Sequence, residues 1–178
     1  KTVLVLGAGI SGVMHISLAR SAGCATVLAT DINDWRVEQA LKFGATASTN
    51  ARGDIPAWVR DNNGGRAADI IFVCAGATSA FEQALKSVDR GGTVVSFAPP
   101  APGVDIPVPL NDFWRNGVTI MPSYANDGRD AMEAMDLIAS GAVPVTEMIT
   151  HRLPLDEAQE GFRLTAGAGE SLKVVLTI

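Results

Sequence analysis

Apolar and polar stretches alternate along the chain in a way that predicts strands and helices in turn. Runs of consecutive apolar residues, as at 2–6 and 69–74, are typical of strands buried on both faces of a parallel sheet. Apolar positions spaced three and four residues apart, as at 34–43, have the period of a helix with one buried side. Because the two patterns alternate up to residue 97, the sequence predicts an α/β fold with helices on both faces of a sheet.

The predicted strands are short and evenly spaced, and together they make a six-stranded, doubly wound parallel sheet. They cover residues 2–6, 25–30, 45–49, 69–74, 93–97 and 118–121. The helices cover residues 10–20, 34–43, 55–61, 79–88, 110–116 and 129–140.

Two segments after the fifth predicted strand, a proline-rich connection and a helix, have further predicted features. The proline-rich residues 99–109 cannot continue a ladder and are predicted to form a surface connection, with a β-like piece at 104–108. The last helix of this part is amphipathic and has several apolar residues available to the core. They are Ala131, Met132, Met135, Leu137 and Ile138.

The pattern changes near Pro144, where six strands already complete the sheet. A strand at 148–153, a helix at 156–164 and a strand at 172–177 follow. We therefore divide the chain into a domain at 1–144 and a C-terminal segment at 145–178.

The first strand leads into a glycine-rich turn, G-A-G-I-S-G, and then into a helix. In such a turn Gly7 permits the sharp bend, Gly9 lets the backbone approach a pyrophosphate, and Gly12 lets the helix pack closely on the strand. The N-terminus of the helix would offer free N–H groups to the anion. The context predicts a dinucleotide site.

An acidic residue follows about twenty residues after the last glycine, as this type of site requires. Asp31 ends the second predicted strand, where its carboxylate would accept hydrogen bonds from an adenosine ribose. The alternative is that the glycines only form a turn and that Asp31 only caps the helix beginning near Asn33.

Composition narrows the class of protein. The chain has 178 residues, 47% of them apolar and few aromatic, which suits one large domain with a parallel sheet. A net charge of −5 and the lack of a basic cluster speak against nucleic-acid binding. Because no apolar stretch approaches the roughly twenty residues of a membrane span and no signal peptide is present, we expect a soluble, cytoplasmic protein without a membrane partner.

The reactive side chains form no recognisable catalytic or metal-binding set. Cys24 and Cys74 have no partners spaced for a metal or a disulfide framework. His15 and His151 lack a nucleophile at a known spacing, so we expect both to pack or hydrogen-bond structurally. Tyr124 lacks the lysine four residues on that short-chain reductases carry. We predict no catalytic residue and no metal ligand in this chain.

Several stretches along the whole chain carry a family resemblance. They are V-L-G-A-G-I-S-G, T-D-I-N-D-W-R with F-G-A after it, D-R-G-G-T-V-V, I-T-H-R-L-P-L-D-E-A-Q-E-G-F and L-K-V-V-L-T. The chain resembles the zinc-dependent medium-chain alcohol and polyol dehydrogenases, specifically their coenzyme-binding half and C-terminal tail. The resemblance implies a Rossmann fold, NAD as cofactor, and oxidation of a secondary alcohol or polyol to a ketone. It also implies that zinc is held by a GroES-like catalytic domain absent from this chain.

The resemblance also implies which residues contact the coenzyme. The pyrophosphate would lie on Gly7, Gly9, Ile10, Ser11 and Gly12. Asp31 would take the ribose with Arg36 beside it, and the adenosine side would be lined by Cys74, Ala75 and Gly76. The nicotinamide would be faced by Ser96, Phe97, Pro122 and Ser123. Lys173 either reaches back to the pyrophosphate or is an ordinary solvated lysine.

The resemblance further implies how the chain is assembled. It opens at Lys1 without an initiator methionine and is expected to be a piece of a longer protein. Residues 145–178 would then belong to the missing domain, and their apolar side chains would be exposed or repacked here. They are Met148, Ile149, Leu172, Val174 and Leu176. A homodimer or tetramer would form through the sheet edge at 118–121.

Three other functions remain open. A zinc-free quinone or enoyl reductase of the same superfamily is one, although such enzymes commonly favour NADPH and carry a basic or small residue at the position of Asp31. A non-enzymatic nucleotide-sensing module shares the glycine turn and the acid, but would not carry the C-terminal segment. A methyltransferase would bind S-adenosylmethionine instead of NAD.

Overall fold

The computed structural model describes all residues, 1–178. The strands of the main sheet are β1 (Thr2–Leu6), β2 (Thr26–Asp31), β3 (Ala47–Asn50), β4 (Ala68–Val73), β5 (Val88–Ser96) and β6 (Thr119–Pro122). All are parallel, in the order β3-β2-β1-β4-β5-β6. The chain winds outward from β1 to one edge and then from β4 to the other, so the predicted doubly wound, Rossmann-type fold is confirmed.

Seven α-helices connect and follow the strands. They are α1 (Ile10–Ser21), α2 (Asp34–Lys42), α3 (Ile55–Asp61), α4 (Thr78–Ser87), α5 (Leu110–Asn116), α6 (Gly128–Ala139) and α7 (Ala158–Gly167). Because side chains alternate across a strand, β1 serves both faces of the sheet. Val3 and Val5 pack with residues of α1 and α2, whereas Leu4 and Leu6 pack with residues of α3 and α4. All four side chains are fully buried, and this places β1 at the centre of two cores.

Three helices, α2, α3 and α6, begin at an N-cap residue whose side chain accepts hydrogen bonds from the first turn. The side-chain oxygen of Asn33 accepts hydrogen bonds from the amides of Trp35 and Arg36, and that of Asp54 accepts one from Ala57. Such caps satisfy amides that have no partner within the helix. The cap of α2 is therefore Asn33 and not Asp31.

The predicted β-like piece at 104–108 is wrong. Residues 101–109 form no strand, because the prolines at 102, 107 and 109 have no N–H to donate to a ladder. Strand β5 begins earlier than predicted, at Val88, and its pairing with β4 is irregular between Ala68 and Ile70.

Helix α6 contributes less to the core than its pattern predicted. Met132 and Met135 are 67% and 63% exposed, and only Leu137 is half-buried, beside Val143. The helix start is held by a capping box of Asp127 with Asp130. An open cavity of about 850 Å³ lies along β4, β5 and β6, and no residue of α6 lines it.

The C-terminal segment forms a second, two-stranded sheet. A 3₁₀ turn (Val145–Met148) leads to β7 (Ile149–Pro154), a second 3₁₀ turn (Leu155–Glu157) to α7, and α7 to β8 (Lys173–Thr177), which is parallel to β7. A Cβ on Gly161 would lie 3.3 Å from the side chain of Val174, so this glycine permits close packing of α7 on the pair.

Two apolar residues of this segment are repacked, one of the two outcomes expected for them. Met148 and Leu172 are buried, 1% and 8% exposed, against Val13 of α1 and Phe43. They are repacked and not exposed because α1 and the end of α2 present an apolar surface. The segment is thus packed on the dinucleotide-type domain as well as on itself.

None of the helices combines the length and the apolar character needed to cross a lipid bilayer.

Candidate functional site

The glycine turn between β1 and α1 leaves no room for larger residues at two positions. Gly7 has φ +96°, a conformation that side chains disfavour, and its amide donates to the carbonyl of Thr30. A Cβ on Gly12 would lie 1.9 Å from the carbonyl oxygen of Gly7. The start of α1 therefore passes directly over the turn, as a Rossmann turn requires.

The start of α1 has backbone amides without a hydrogen-bond partner. The N–H groups of Ile10, Ser11 and Gly12 have no acceptor in the protein, no side chain caps the helix, and its first turn holds no acidic residue. Aligned free amides and the positive end of the helix dipole make this an anion site. A side chain at Gly9 would point towards the same space, where the guanidinium of Arg36 lies.

Asp31 joins the turn to the end of β2. Its Oδ2 accepts a hydrogen bond from the Ala8 amide at 2.8 Å and its Oδ1 one from the Asn33 amide at 2.9 Å. The residue is buried, 7% exposed. A carboxylate offers about four lone-pair positions, so both oxygens can still accept hydrogen bonds from a ligand.

Arg36 lies on α2 but reaches over the glycine turn. Its Nη1 is 3.6 Å from the position that a Cβ of Gly9 would occupy, and its Nη2 donates to the carbonyl of Ser171 at 3.3 Å. Its Nε is buried without a partner. The resemblance implied a position beside Asp31, and in the structure Nη1 of the guanidinium lies beside Gly9.

A small cavity opens between the carboxyl ends of β1 and β4, where the winding of the sheet reverses. It measures about 110 Å³, and Gly7, Asp31 and Ala75 are among the residues that line it. Ligands of open α/β sheets bind at such switch points. Gly76, next along the chain, lies close to the carbonyl of Pro99, so that a Cβ there would be 3.0 Å from this oxygen.

Of the remaining predicted site residues, those at the ends of β5 and β6 lie along the same edge of the sheet, whereas Lys173 lies in the second sheet. The Ser123 amide donates to the carbonyl of Ser96 at 3.0 Å, which joins the ends of β5 and β6. Phe97 is 38% exposed there, and Pro122 ends β6. Lys173, at the start of β8, is exposed and its side chain makes no hydrogen bond or ion pair.

His15 is a packing residue, as expected, although its neighbours were not predicted. Its ring lies 4.7 Å from the rings of Phe72 and Phe97, and its Nδ1 donates to the carbonyl of Ser11 at 2.7 Å. The Cys74 sulfur lies 3.6 Å from the same nitrogen, turned towards α1. Burial raises the pKa of the Cys74 thiol to about 12, so it remains protonated and unreactive at neutral pH.

The His15 environment predicts a pH dependence of stability. Burial lowers the pKa of His15, and the hydrogen bond to Ser11 opposes this shift only in part. As the pH falls below the ordinary value of 6.5, the unfolded chain takes up a proton that the folded chain does not. We expect urea unfolding to show lower stability at pH 5.5 than at pH 7.5, and a smaller loss for His15→Gln. An equal loss in both chains would contradict this assignment.

The side chains brought together here can bind a ligand but offer little chemistry of their own. Nowhere in the chain are three or more His, Cys, Asp or Glu side chains placed to hold a metal ion.

Sequence reasoning also missed Asn33, whose side chain caps α2 and donates to the carbonyl of Ala168. A capping residue directly before a helix was a usable signal for the first role, but nothing local indicated the second.

The fold and the site are those of a dinucleotide-binding class of protein: a doubly wound parallel sheet whose first turn has unpaired amides beside a buried acid. Residues 11–140 match the family model described as zinc-binding dehydrogenase, and the chain belongs to this family. It corresponds to the coenzyme-binding half of the medium-chain dehydrogenases.

Curated relatives and solved structures agree with this assignment. The chain is 33% identical over 179 residues to the L-threonine 3-dehydrogenase of Anaeromyxobacter sp. (strain Fw109-5), covering 99% of this chain and 51% of the relative. The alcohol dehydrogenase TADH from Thermus sp. ATN1 superposes with a TM-score of 0.92 at 30% identity, over 99% of this chain and 51% of that one. A zinc-binding dehydrogenase from Sinorhizobium meliloti 1021, bound to NADP, gives 0.89 at 27% identity, over 99% and 52%. The chain thus spans about half the length of the relatives it matches.

Proposed function

We propose that this chain is the NAD-binding unit of a dehydrogenase that oxidises a secondary alcohol or polyol to a ketone. The observation that carries the proposal is Asp31, a buried carboxylate with free acceptor positions beside unpaired amides at the start of α1. The amides would hold the pyrophosphate, and the carboxylate would accept hydrogen bonds from the ribose diol.

The choice of NAD over NADP rests on charge. A 2′-phosphate would meet the carboxylate of Asp31, and the residues that follow it, Ile32 and Asn33, supply no positive charge. The Arg36 guanidinium lies beside Gly9 and donates to the carbonyl of Ser171. A relative is bound to NADP, so family membership does not fix the coenzyme. The residues around Asp31 therefore determine whether NAD or NADP is preferred.

In this proposal the chain binds and orients the coenzyme, and residues outside this chain bind the alcohol. The cavity beside Gly7 would take the adenosine side, and the ends of β5 and β6, with Ser96 and Phe97, would face the nicotinamide. A nicotinamide coenzyme supplies the hydride acceptor. The His, Cys, Asp and Glu side chains of this chain are not arranged as a zinc site. Residues 145–178 would belong to the catalytic domain.

The test is titration calorimetry with NAD together with a dehydrogenase assay. We expect NAD to bind the purified chain with no turnover of a panel of secondary alcohols and polyols, with or without added zinc, because hydride transfer needs the alcohol held in near-attack geometry. Binding of S-adenosylmethionine but not NAD would refute the proposal in favour of a methyltransferase. Turnover that vanishes in His15→Gln or His151→Gln would refute the proposal that this chain binds the coenzyme without catalysing the reaction.

The exposed edge of the sheet supports a proposed homodimer or tetramer. β6 ends the sheet, and Ile120 and Met121 are 42% and 48% exposed on it. An unpaired apolar edge invites pairing with a second copy. We expect a dimer or tetramer in analytical ultracentrifugation at micromolar concentration, and a monomer for Ile120→Lys. A monomer before and after the change would contradict the proposal.

A further inference from the structure

The turn that follows α7 is joined to the start of α2 by hydrogen bonds. The side-chain amide of Asn33 donates to the carbonyls of Ala168 and Gly169 at 3.2 and 3.5 Å, and Arg36 donates to that of Ser171. Ser171 is itself buried, 4% exposed, and its hydroxyl donates to the carbonyl of Leu164. This turn, residues 168–171, is therefore held at one side by α7 and at the other by two side chains of α2.

Arg36 is the residue that belongs to both the turn 168–171 and the candidate coenzyme site. One of its nitrogens is bonded to Ser171, a second lies over Gly9, and the third, Nε, is buried without an acceptor. A buried donor without a partner destabilises the state in which it is found. An anionic ligand on the unpaired amides of α1 would bring acceptor oxygens to this side of the guanidinium.

We infer that Arg36 couples coenzyme binding to docking of the turn 168–171, so that each stabilises the other; this rests on the proposed function. The carbonyl of Ser171 holds the planar guanidinium in place before the ligand arrives, which lowers the ordering that binding must impose. By linkage, a ligand that favours the oriented guanidinium also favours the docked turn by the same factor. The side-chain amide of Asn33 acts on the coenzyme through the turn, so that Asn33 is a positioning residue.

The coupling is tested by hydrogen exchange and calorimetry on the whole chain. With saturating NAD, we expect the amides of residues 168–174 to exchange about 5-fold more slowly, which is the lower end of ordinary coupling factors. Asn33→Ser keeps a capping oxygen for α2 but loses the donor to the turn. We expect faster exchange in the turn and NAD affinity about 5-fold lower, a change that a purely structural contact would not produce.

Two further variants separate charge from geometry. Arg36→Lys keeps the charge but loses the fork that serves two acceptors, so NAD should bind more weakly and no longer slow exchange in the turn. Arg129→Lys, on the exposed face of α6, is the matched control and should change neither.

The outcomes distinguish this inference from the proposed function. NAD binding to the unchanged chain without slower exchange in the turn would overturn the coupling alone. Unchanged NAD affinity in Asn33→Ser would do the same. Absence of NAD binding to the unchanged chain would overturn the proposed function and the coupling with it.

Discussion

Replacing Gly12 by alanine is expected to destabilise the chain by about 3 kcal/mol or more, the range of severe overpacking. The new Cβ would lie 1.9 Å from the carbonyl oxygen of Gly7 and 2.9 Å from its carbon. Both are backbone atoms, and the Gly7 amide is bonded to Thr30 at 2.8 Å, so the turn cannot yield without losing its pairing with β2. Urea denaturation followed by circular dichroism measures the change.

Gly128→Ala is the matched control for this substitution. Gly128 is the first residue of α6, and a Cβ there would meet nothing within 4 Å. We expect its stability to be unchanged or raised by about 0.4 to 1 kcal/mol, because alanine restricts the unfolded chain. Equal stability of Gly12→Ala and Gly128→Ala would show that α1 does not pass over the turn as described.

Replacing Asp31 by serine is expected to weaken NAD binding strongly and to narrow the preference over NADP. In the unchanged chain we expect that preference to be about 1 to 3 kcal/mol, the scale of a charge-assisted hydrogen bond. Serine removes the carboxylate that repels a 2′-phosphate. It also removes the acceptors of the Ala8 and Asn33 amides, so part of the loss of affinity comes from a loosened turn.

Calorimetry with both coenzymes measures this effect, and Asp34→Ser is the matched control. Asp34 lies three residues on, in the first turn of α2, is exposed, and is bonded to the side chain of Asn50. Its loss removes the same charge from the same region and should leave the preference between NAD and NADP unchanged. Equal or tighter binding of NADP to the unchanged chain would contradict the assignment of Asp31.

Much of the fold could be predicted because its signals are local. The apolar run of β1 and the glycine turn each lie within a few residues, and α5 begins and ends where its pattern predicts. The burial of Met148 and Leu172 could not be predicted, because their partners on α1 and at Phe43 lie more than a hundred residues away in the sequence. The exposure of α6 was missed for a related reason. An amphipathic pattern indicates that a helix has an apolar face, but not which surface that face packs on.

In the candidate site, too, some features could be predicted from the sequence and others could not. Parallel strands end at one edge of a sheet, so the positions of Asp31, Ser96 and Ser123 followed from the predicted strand ends. The directions of longer side chains did not follow. Arg36 is turned by the carbonyl of Ser171, and the Cys74 sulfur lies towards His15, contacts that only the folded chain brings about.

The central position of β1 imposes an order on folding. β1 pairs on one side with residues 26–30 and on the other with residues 70–73, which are synthesised long afterwards. Until β4 arrives, the most apolar strand of the chain has one uncovered edge, a template for pairing with other chains. Non-local pairing of this kind is slow. The yield of refolded protein should therefore fall as its concentration rises, because aggregation competes with the docking of β4.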